Sequence, residues 1–356
     1  MKIIRLKYII ALLIITFIGV MPCAQSSPES DQEAAKTTRK YTIAILPFVN
    51  FSGETRGEEV LMPLIQSRVA GSDLIVVDSS QLRQTLRKHR IRSSGAINTS
   101  DASIIADELG IDFLLLGSID VFIENDLPET GFSARCLDVK NMKIFWAVSE
   151  AAGGNDFTGL LGIGQIREID KLAEKLVGGA FKNFEKSINA YIRKNETGKS
   201  SPTFALVPFD NLSAQKFAGD VISTILLTEL VDRGMSVIEP GTVGELFRSH
   251  NRALRGEIDF DMITELRSGL NADYVITGSV NLFKAGPGGV EGSGPEVEFG
   301  GRCLDSEDGR IIGAYEYSRR GTNSAALLRP GSTNSLGELS RDAVEDFVKK
   351  VKKDIK

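Results

Sequence analysis

The sequence predicts an α/β protein built from two tandem copies of one domain, each a mixed sheet covered by helices. The first observation is a recurrence. ILPFVNFSG at 45–53 returns as LVPFDNLSA at 206–214, so that Pro47, Phe48, Asn50 and Ser52 match Pro208, Phe209, Asn211 and Ser213 at an offset of 161. The same offset relates Arg87 and His89 to Arg248 and His250, and Leu109, Asp112, Gly117 and Ser118 to Leu270, Asp273, Gly278 and Ser279. Further on the offset becomes 167, and RCLD at 135–138 matches RCLD at 302–305. Repeats of this kind organise a fold before any motif does. The second observation is the alternation, within each copy, of short β-branched apolar runs with segments of helical period.

The elements follow in order. TIAILPF and TFALVPF are buried first strands. A helix comes next. In the second copy Val221, Ile222, Ile225, Leu226 and Leu230 fall on one face. In the first, Pro63 stands where the second has Thr224, which predicts a late start or a kink. LIVVD and MSVIE are second strands. Helices over 80–90 and 101–109 follow, the latter capped by Ser100 or Asp101. DFLLLGSIDVFI and DYVITGSVNLFK form long third strands. GFSARCLDV and EFGGRCLDS form the fourth, and a turn, marked by Asp308-Gly309 in the second copy, leads to the fifth. Each copy closes with an amphipathic helix, 168–186 and 337–354. The order is β-α-β-α-α-β-β-β-α. Helices separate strands one to three, so these run parallel, and the last strands pair as antiparallel hairpins. The copies span 41–188 and 203–356, with a polar linker at 189–202. The change of offset falls in AGPGGVEGSGP, a loop enlargement.

The N-terminus has a different composition. Lys2, Arg5 and Lys7 precede the apolar run at 8–22, which is shorter than the roughly 20 residues a spanning helix needs. Residues 1–23 read as a signal peptide, and 24–40 as a flexible tether. Cys23, directly after the apolar run, is the candidate lipid-attachment residue of a bacterial lipoprotein. Pro22 departs from the small residue favoured before such a cysteine, so cleavage after Ala24 or Ser26 and retention as an uncleaved anchor stay open beside lipidation. An acylated Cys23 would hold the protein at a membrane surface.

Across 356 residues, 25% are charged and the net charge is −5. With no basic excess and one Trp, nucleic acid is not an expected partner. Two His and three Cys leave little material for a metal cluster.

The ordered set of a PF-x-N-x-S strand exit, a strand ending in VVD or VIE, a G-x-D-[FY]-[LV]-[LI]-x-GS segment and an R-x-L-D strand resembles the superfamily that includes the curli secretion component CsgG, the TolB N-terminal domain and the penicillin-binding-protein activator LpoB. The resemblance runs through both copies. It implies an anticodon-binding-like α/β fold with Rossmann-like layers, a place in the bacterial envelope, protein partners and no enzymatic chemistry. The expected function is therefore a non-enzymatic envelope module that binds proteins in the periplasm or at the outer membrane. Two other functions are weighed against it. One is a component of a curli-type secretion channel, with homo-oligomers. Its membrane strands would need about 9–11 residues each, and ENDLPET is too short a connection for them. The other is a nucleotide- or glycan-binding periplasmic protein.

No catalytic, cofactor or metal residues are assigned. The strand exits lack a phosphate-loop pattern, and Gly53 becomes Ala214 in the second copy. Pro47 and Pro208 are expected to end strand pairing, Asn50 and Asn211 to close Asx-turns, and Ser52 and Ser213 to satisfy backbone N–H groups. His89 and His250 are expected at helix C-termini, and Cys136 and Cys303 as buried thiols, with a disulfide between them as the lesser alternative in an oxidising compartment. Arg135 and Asp138, like Arg302 and Asp305, differ by three and so point to opposite strand faces; edge charge and turn capping account for them. The two copies are expected to pack with pseudo-two-fold symmetry.

Overall fold

Two sheets carry the fold. A computed structural model describes residues 40–92, 94–157, 164–194, 201–254, 258–286, 294–321 and 335–355. The signal peptide and Cys23, the tether up to residue 39, most of the apolar segment 159–165 and most of the Gly-rich enlargement lie outside the described residues.

In the first copy the elements are β1 (Thr42–Ile45), β2 (Val49–Asn50), α1 (Thr55–Ala70), β3 (Ile75–Val76), α2 (Ser79–Lys88), α3 (Thr99–Leu109), β4 (Phe113–Ile123), β5 (Glu129–Asp138), β6 (Lys143–Gly153), α4 (Ile169–Ala180) and α5 (Phe184–Lys194). In the second they are β7 (Thr203–Leu206), β8 (Asp210–Asn211), α6 (Ala218–Asp232), β9 (Ser236–Val237), α7 (Pro240–Ser249), α8 (Phe260–Leu270), β10 (Tyr274–Lys284), β11 (Glu296–Asp305), β12 (Ile311–Arg320) and α9 (Leu336–Asp354). The strand orders are β3-β1-β4-β5-β6 and β9-β7-β10-β11-β12, so the topology repeats. β1 is parallel to β3 and β4, while β4, β5 and β6 are antiparallel. The register shifts recur too, between Ile119 and Val121 in β4 and between Val280 and Leu282 in β10.

Several expectations change. Pro47 and Pro208 interrupt pairing without ending it: β2 and β8 resume parallel pairing with the same neighbours, β4 and β10. A proline lacks one donor, so the ladder skips it and continues. Helix α1 does not start late. It runs from Thr55 with Pro63 inside it. The cap of α3 is Asn98, whose side chain accepts from the Asp101 N–H, rather than Ser100 or Asp101. The closing helix of the first copy is two helices, α4 and α5, and α5 runs on to Lys194, into the segment read as linker.

The second strand exit closes an Asx-turn, and in the first the Asn side chain bonds the N–H one residue further on. Asn50 Oδ1 accepts from Ser52 Oγ at 2.7 Å and from the Gly53 N–H at 3.2 Å, and Asn50 Nδ2 donates to the Glu54 carbonyl. Asn211 Oδ1 accepts from both Oγ and N–H of Ser213, and its Nδ2 donates to the Gln215 carbonyl. The buried Phe of each exit packs on the Gly of the GS pair. A Cβ on Gly117 would lie 2.3 Å from the Phe48 ring, and one on Gly278 2.6 Å from the Phe209 ring. Two motifs 69 residues apart in each copy are thus one packing unit.

Residues 40–356 form one compact unit. The copies do not meet through equivalent patches. One face of the first sheet is covered by its own α1, α4 and α5, which enclose Phe48, Phe132 and Cys136. The other face packs on α6 and α9 of the second copy, and one apolar cluster runs from Leu46, Leu116 and Leu137 through Ile225 and Leu226 to Phe299 and Phe347. The equivalent face of the second sheet, with Ala205, Val207 and Val275, lies under α7 and α8. The stacking is head to tail, and an antiparallel bridge from Lys143 to Ile238 links the sheet edges. The helices show why. α1 buries a single stripe of Gly57, Leu61, Ile65 and Val69. Its counterpart α6 is apolar nearly all round and buries Val221, Ile222, Leu226 and Leu227 together, as a helix between two sheets must.

Candidate functional site in the cleft between the copies

Arg135 of β5 and Glu239 before α7 meet across the interface between the copies. Arg135 lies on a central strand, so the expectation of an edge charge does not hold. Its Nε donates to Glu239 Oε2 at 2.8 Å and its Nη2 to Oε1 at 2.5 Å. The side chains are 3% and 0% exposed. Two more bonds complete the pair: Arg135 Nη2 donates to the Gly95 carbonyl, and Glu239 Oε1 accepts from the Ile97 N–H. Glu239 is the repeat equivalent of Asp78. Asp78 caps α2, accepting from the N–H groups of Ser80 and Gln81. Glu239 precedes α7 without capping it. Pro240 stands at the first helical position, and the longer Glu239 side chain reaches Arg135 instead of the helix N–H groups. Gly241 allows the approach: a Cβ there would lie 2.1 Å from the Ile97 backbone.

Further polar groups are buried on the same sheet face. Asp120, at the register shift of β4, accepts from Ser118 Oγ and Ser133 Oγ, each at 2.5 Å. Burial pushes its carboxyl up to about 7, against the two hydroxyl bonds. Glu129 accepts the Gly337 N–H at the start of α9, and burial pushes it up to about 8. Burial also raises the nearby Glu338 to about 7.

Beside the Arg135–Glu239 pair the copies enclose a cleft of about 740 Å³. Val49, Leu206 and Leu227 give it an apolar floor, and Arg90, Arg92 and Arg248 line it from both copies. Pro208 and Phe51 place both strand exits at its wall. Phe51 meets Phe217 across the interface, with ring centroids 5.5 Å apart. The cleft was not legible from the strand exits alone, because it exists only where two copies stack.

The other sequence candidates lie elsewhere. Asp138 caps the turn after β5, accepting from Lys140 and Asn141, and also accepts from the Tyr191 hydroxyl. His89 and His250 stand at the C-caps of α2 and α7, as expected. Each also faces a carboxylate: His89 Nε2 is 2.7 Å from Glu108 and His250 Nε2 3.8 Å from Glu265. Lys88, His89 and Thr85 bonds hold Glu108 down at about 2. Cys136 and Cys303 are buried free thiols, both raised by burial. Among the described residues no group of three or more His, Cys, Asp or Glu is arranged to hold a metal ion. No helix among them is long and apolar enough to cross a membrane.

No family model and no curated protein matches the chain. Similar solved structures include the PelC dodecamer of Paraburkholderia phytofirmans, at 19% identity and TM-score 0.29, covering 43% of this chain and 92% of that one. They include the LpoB C-terminal domain of Escherichia coli, at 10% identity and TM-score 0.26, covering 37% and 93%. TolB of Acinetobacter baumannii, at 16% identity and TM-score 0.23, covers 43% of this chain and 28% of that one. The solved structures similar to this chain thus include LpoB and TolB, two proteins of the superfamily that its repeated motifs resemble.

Proposed function

We propose that the chain is an envelope-associated binding protein that acts by holding a protein partner at the mouth of the cleft between its copies, with no covalent chemistry of its own. The resemblance of residues 1–23 to a signal peptide and the resemblance of the repeated motifs support the location. The observation that carries the partner reading is the second strand exit. Its Asx-turn presents Leu212 at 68% exposure. The same loop ends at Phe217, a non-glycine residue with φ of +65°. An aromatic residue in left-handed backbone costs about 1 kcal/mol or more, and such strain gathers where a side chain is kept for use. Phe217 meets Phe51 of the other copy, so the half-exposed aromatic pair exists only in the stacked form. Aromatic side chains beside arginines are the composition of binding hot spots.

A photoreactive residue at position 212 of the full chain, in envelope preparations, tests this. The expected result is one discrete protein adduct, absent with the same probe at position 316 on the outer face of the second sheet. Equal labelling from both positions would overturn it.

A further inference from the structure

The cleft beside the proposed docking site is itself lined by charged and apolar groups. Its rim holds Arg90, Arg92 and Arg248, and among the described residues none of the three makes an ion pair. Elsewhere in the chain most described arginines are paired, as Arg56, Arg233, Arg267 and Arg341 are. The chain carries a net charge of −5, so three guanidinium groups at one cavity, with no ion pair among the described residues, are not a by-product of general basicity. Of the fixed charges there, Arg135 is already neutralised by Glu239. Asp101 and Asp220 also line the cavity; Asp101 accepts from Asn98 Nδ2.

Arg90 supplies an independent sign. It follows α2 in left-handed backbone, with φ of +55°. Its repeat equivalent is Asn251, also at +55°. Asparagine adopts this conformation readily, and arginine does so at a cost. The turn alone would favour asparagine in both copies. The first copy keeps an arginine, and its side chain is the one that lines the cleft.

We propose that the cleft binds a small amphipathic anion, with phosphate or carboxylate groups held by Arg90, Arg92 and Arg248 and an apolar body on Val49, Leu206 and Leu227. Guanidinium forks match both anions bidentately, and a cavity of about 740 Å³ is the size of ordinary small-molecule sites.

Calorimetric titration of the full chain with phenyl phosphate, benzoate, inorganic phosphate and phenol tests the proposal. Phenyl phosphate or benzoate binds saturably, and which of them is tighter tells phosphate from carboxylate. Inorganic phosphate binds more weakly than phenyl phosphate, and phenol does not bind. Arg90→Asn, the residue that the other copy carries, lowers affinity by about 10-fold or more while the melting temperature holds or rises, since a charged hydrogen bond is lost and the backbone is relieved. Arg248→Gln lowers affinity similarly. The proposal is overturned if neither anion binds saturably, if both variants bind like the wild type, or if a hexaglutamate peptide binds where the small anions do not. None of these results bears on the photo-crosslink at position 212, which tests the docked protein separately.

Discussion

Arg135 and Glu239 form a buried bidentate ion pair, at 2.5 and 2.8 Å, between two copies of one repeated domain. Their repeat equivalents, Arg302 and Asp78, do other things: Arg302 lies partly exposed on the second sheet, and Asp78 caps α2. Equivalent positions of the two copies thus differ in role, one capping a helix and the other joining two domains. The stacked copies then create the cleft and bring Phe51 to Phe217.

The Phe–Gly unit inside each copy is rigid in both directions. Gly278→Ala would drive a methyl group into the Phe209 ring and to 2.2 Å from the Gly300 carbonyl. Backbone stands on one side, so relaxation is limited. Overpacking of this kind costs about 1–3 kcal/mol or more. Chemical denaturation should show that loss, and Phe209→Leu should recover part of it. Gly241→Ala acts at the interface, against the Ile97 backbone, and should separate the copies before either unfolds. Proteolysis near residues 195–200, faster than in wild type, would report it.

Stability should fall as pH rises. Asp120 and Glu129 have folded carboxyls raised to about 7 and about 8. A raised acid binds its proton more tightly in the folded state, so the unfolded chain ionises first. The stability that these groups contribute is complete below the unfolded carboxylate range and is lost as pH climbs to about 8. Melting temperature measured from pH 5 to 8.5 should decline. Asp120→Asn, which places the residue of the equivalent position 281, should flatten the part of the decline below pH 7. A melting temperature that rises over this range would contradict the assignment.

Head-to-tail stacking could in principle continue through a third copy or a second chain, because heterologous contacts do not close by themselves. Both ends are blunted. On the second sheet, Gly131, Ser133 and Ala151 of the buried first-copy face are replaced by Glu298, Gly300 and Ser318, and Ser149 by Glu316. At the other end α1 turns Arg56, Glu58, Glu59 and Gln66 outward. Such polar faces are how short repeat arrays stop. Light scattering should show no growth through this face. The triple change Glu298→Gly, Glu316→Ser and Ser318→Ala should induce association that depends on concentration. Rings in detergent from the unmodified chain would favour the channel reading instead.

Much of the architecture was legible in the residues. The chain order of the long elements and the division into parallel and antiparallel strands followed from the repeat, and the Asn-closed turns of the strand exits followed from Asn and Ser two apart. The head-to-tail packing was not read, although one signal was present. Two helices at equivalent positions differ in pattern, α1 with one apolar stripe and α6 apolar nearly all round, and only non-equivalent surroundings require that. Arg135 was misread as an edge charge because strand position is a tertiary fact. The sign that could have found its partner is the change of Asp78 to Glu239, a longer carboxylate side chain where the first copy has a helix cap. Arg90, Arg92 and Arg248 were not singled out in the sequence, since the cavity joining them belongs to neither copy alone.

The central claim is that Arg135 and Glu239 bind the two copies into one unit. A double-mutant cycle with Arg135→Met and Glu239→Leu, read by denaturant unfolding, tests it most directly. Each single change leaves a buried charge without its partner and should cost about 3–5 kcal/mol. The double change leaves none and should restore much of that loss, which gives a coupling of about 2 kcal/mol or more in a single cooperative transition. Additive effects, with coupling below about 0.5 kcal/mol, or two separate transitions in the wild type, would contradict the claim.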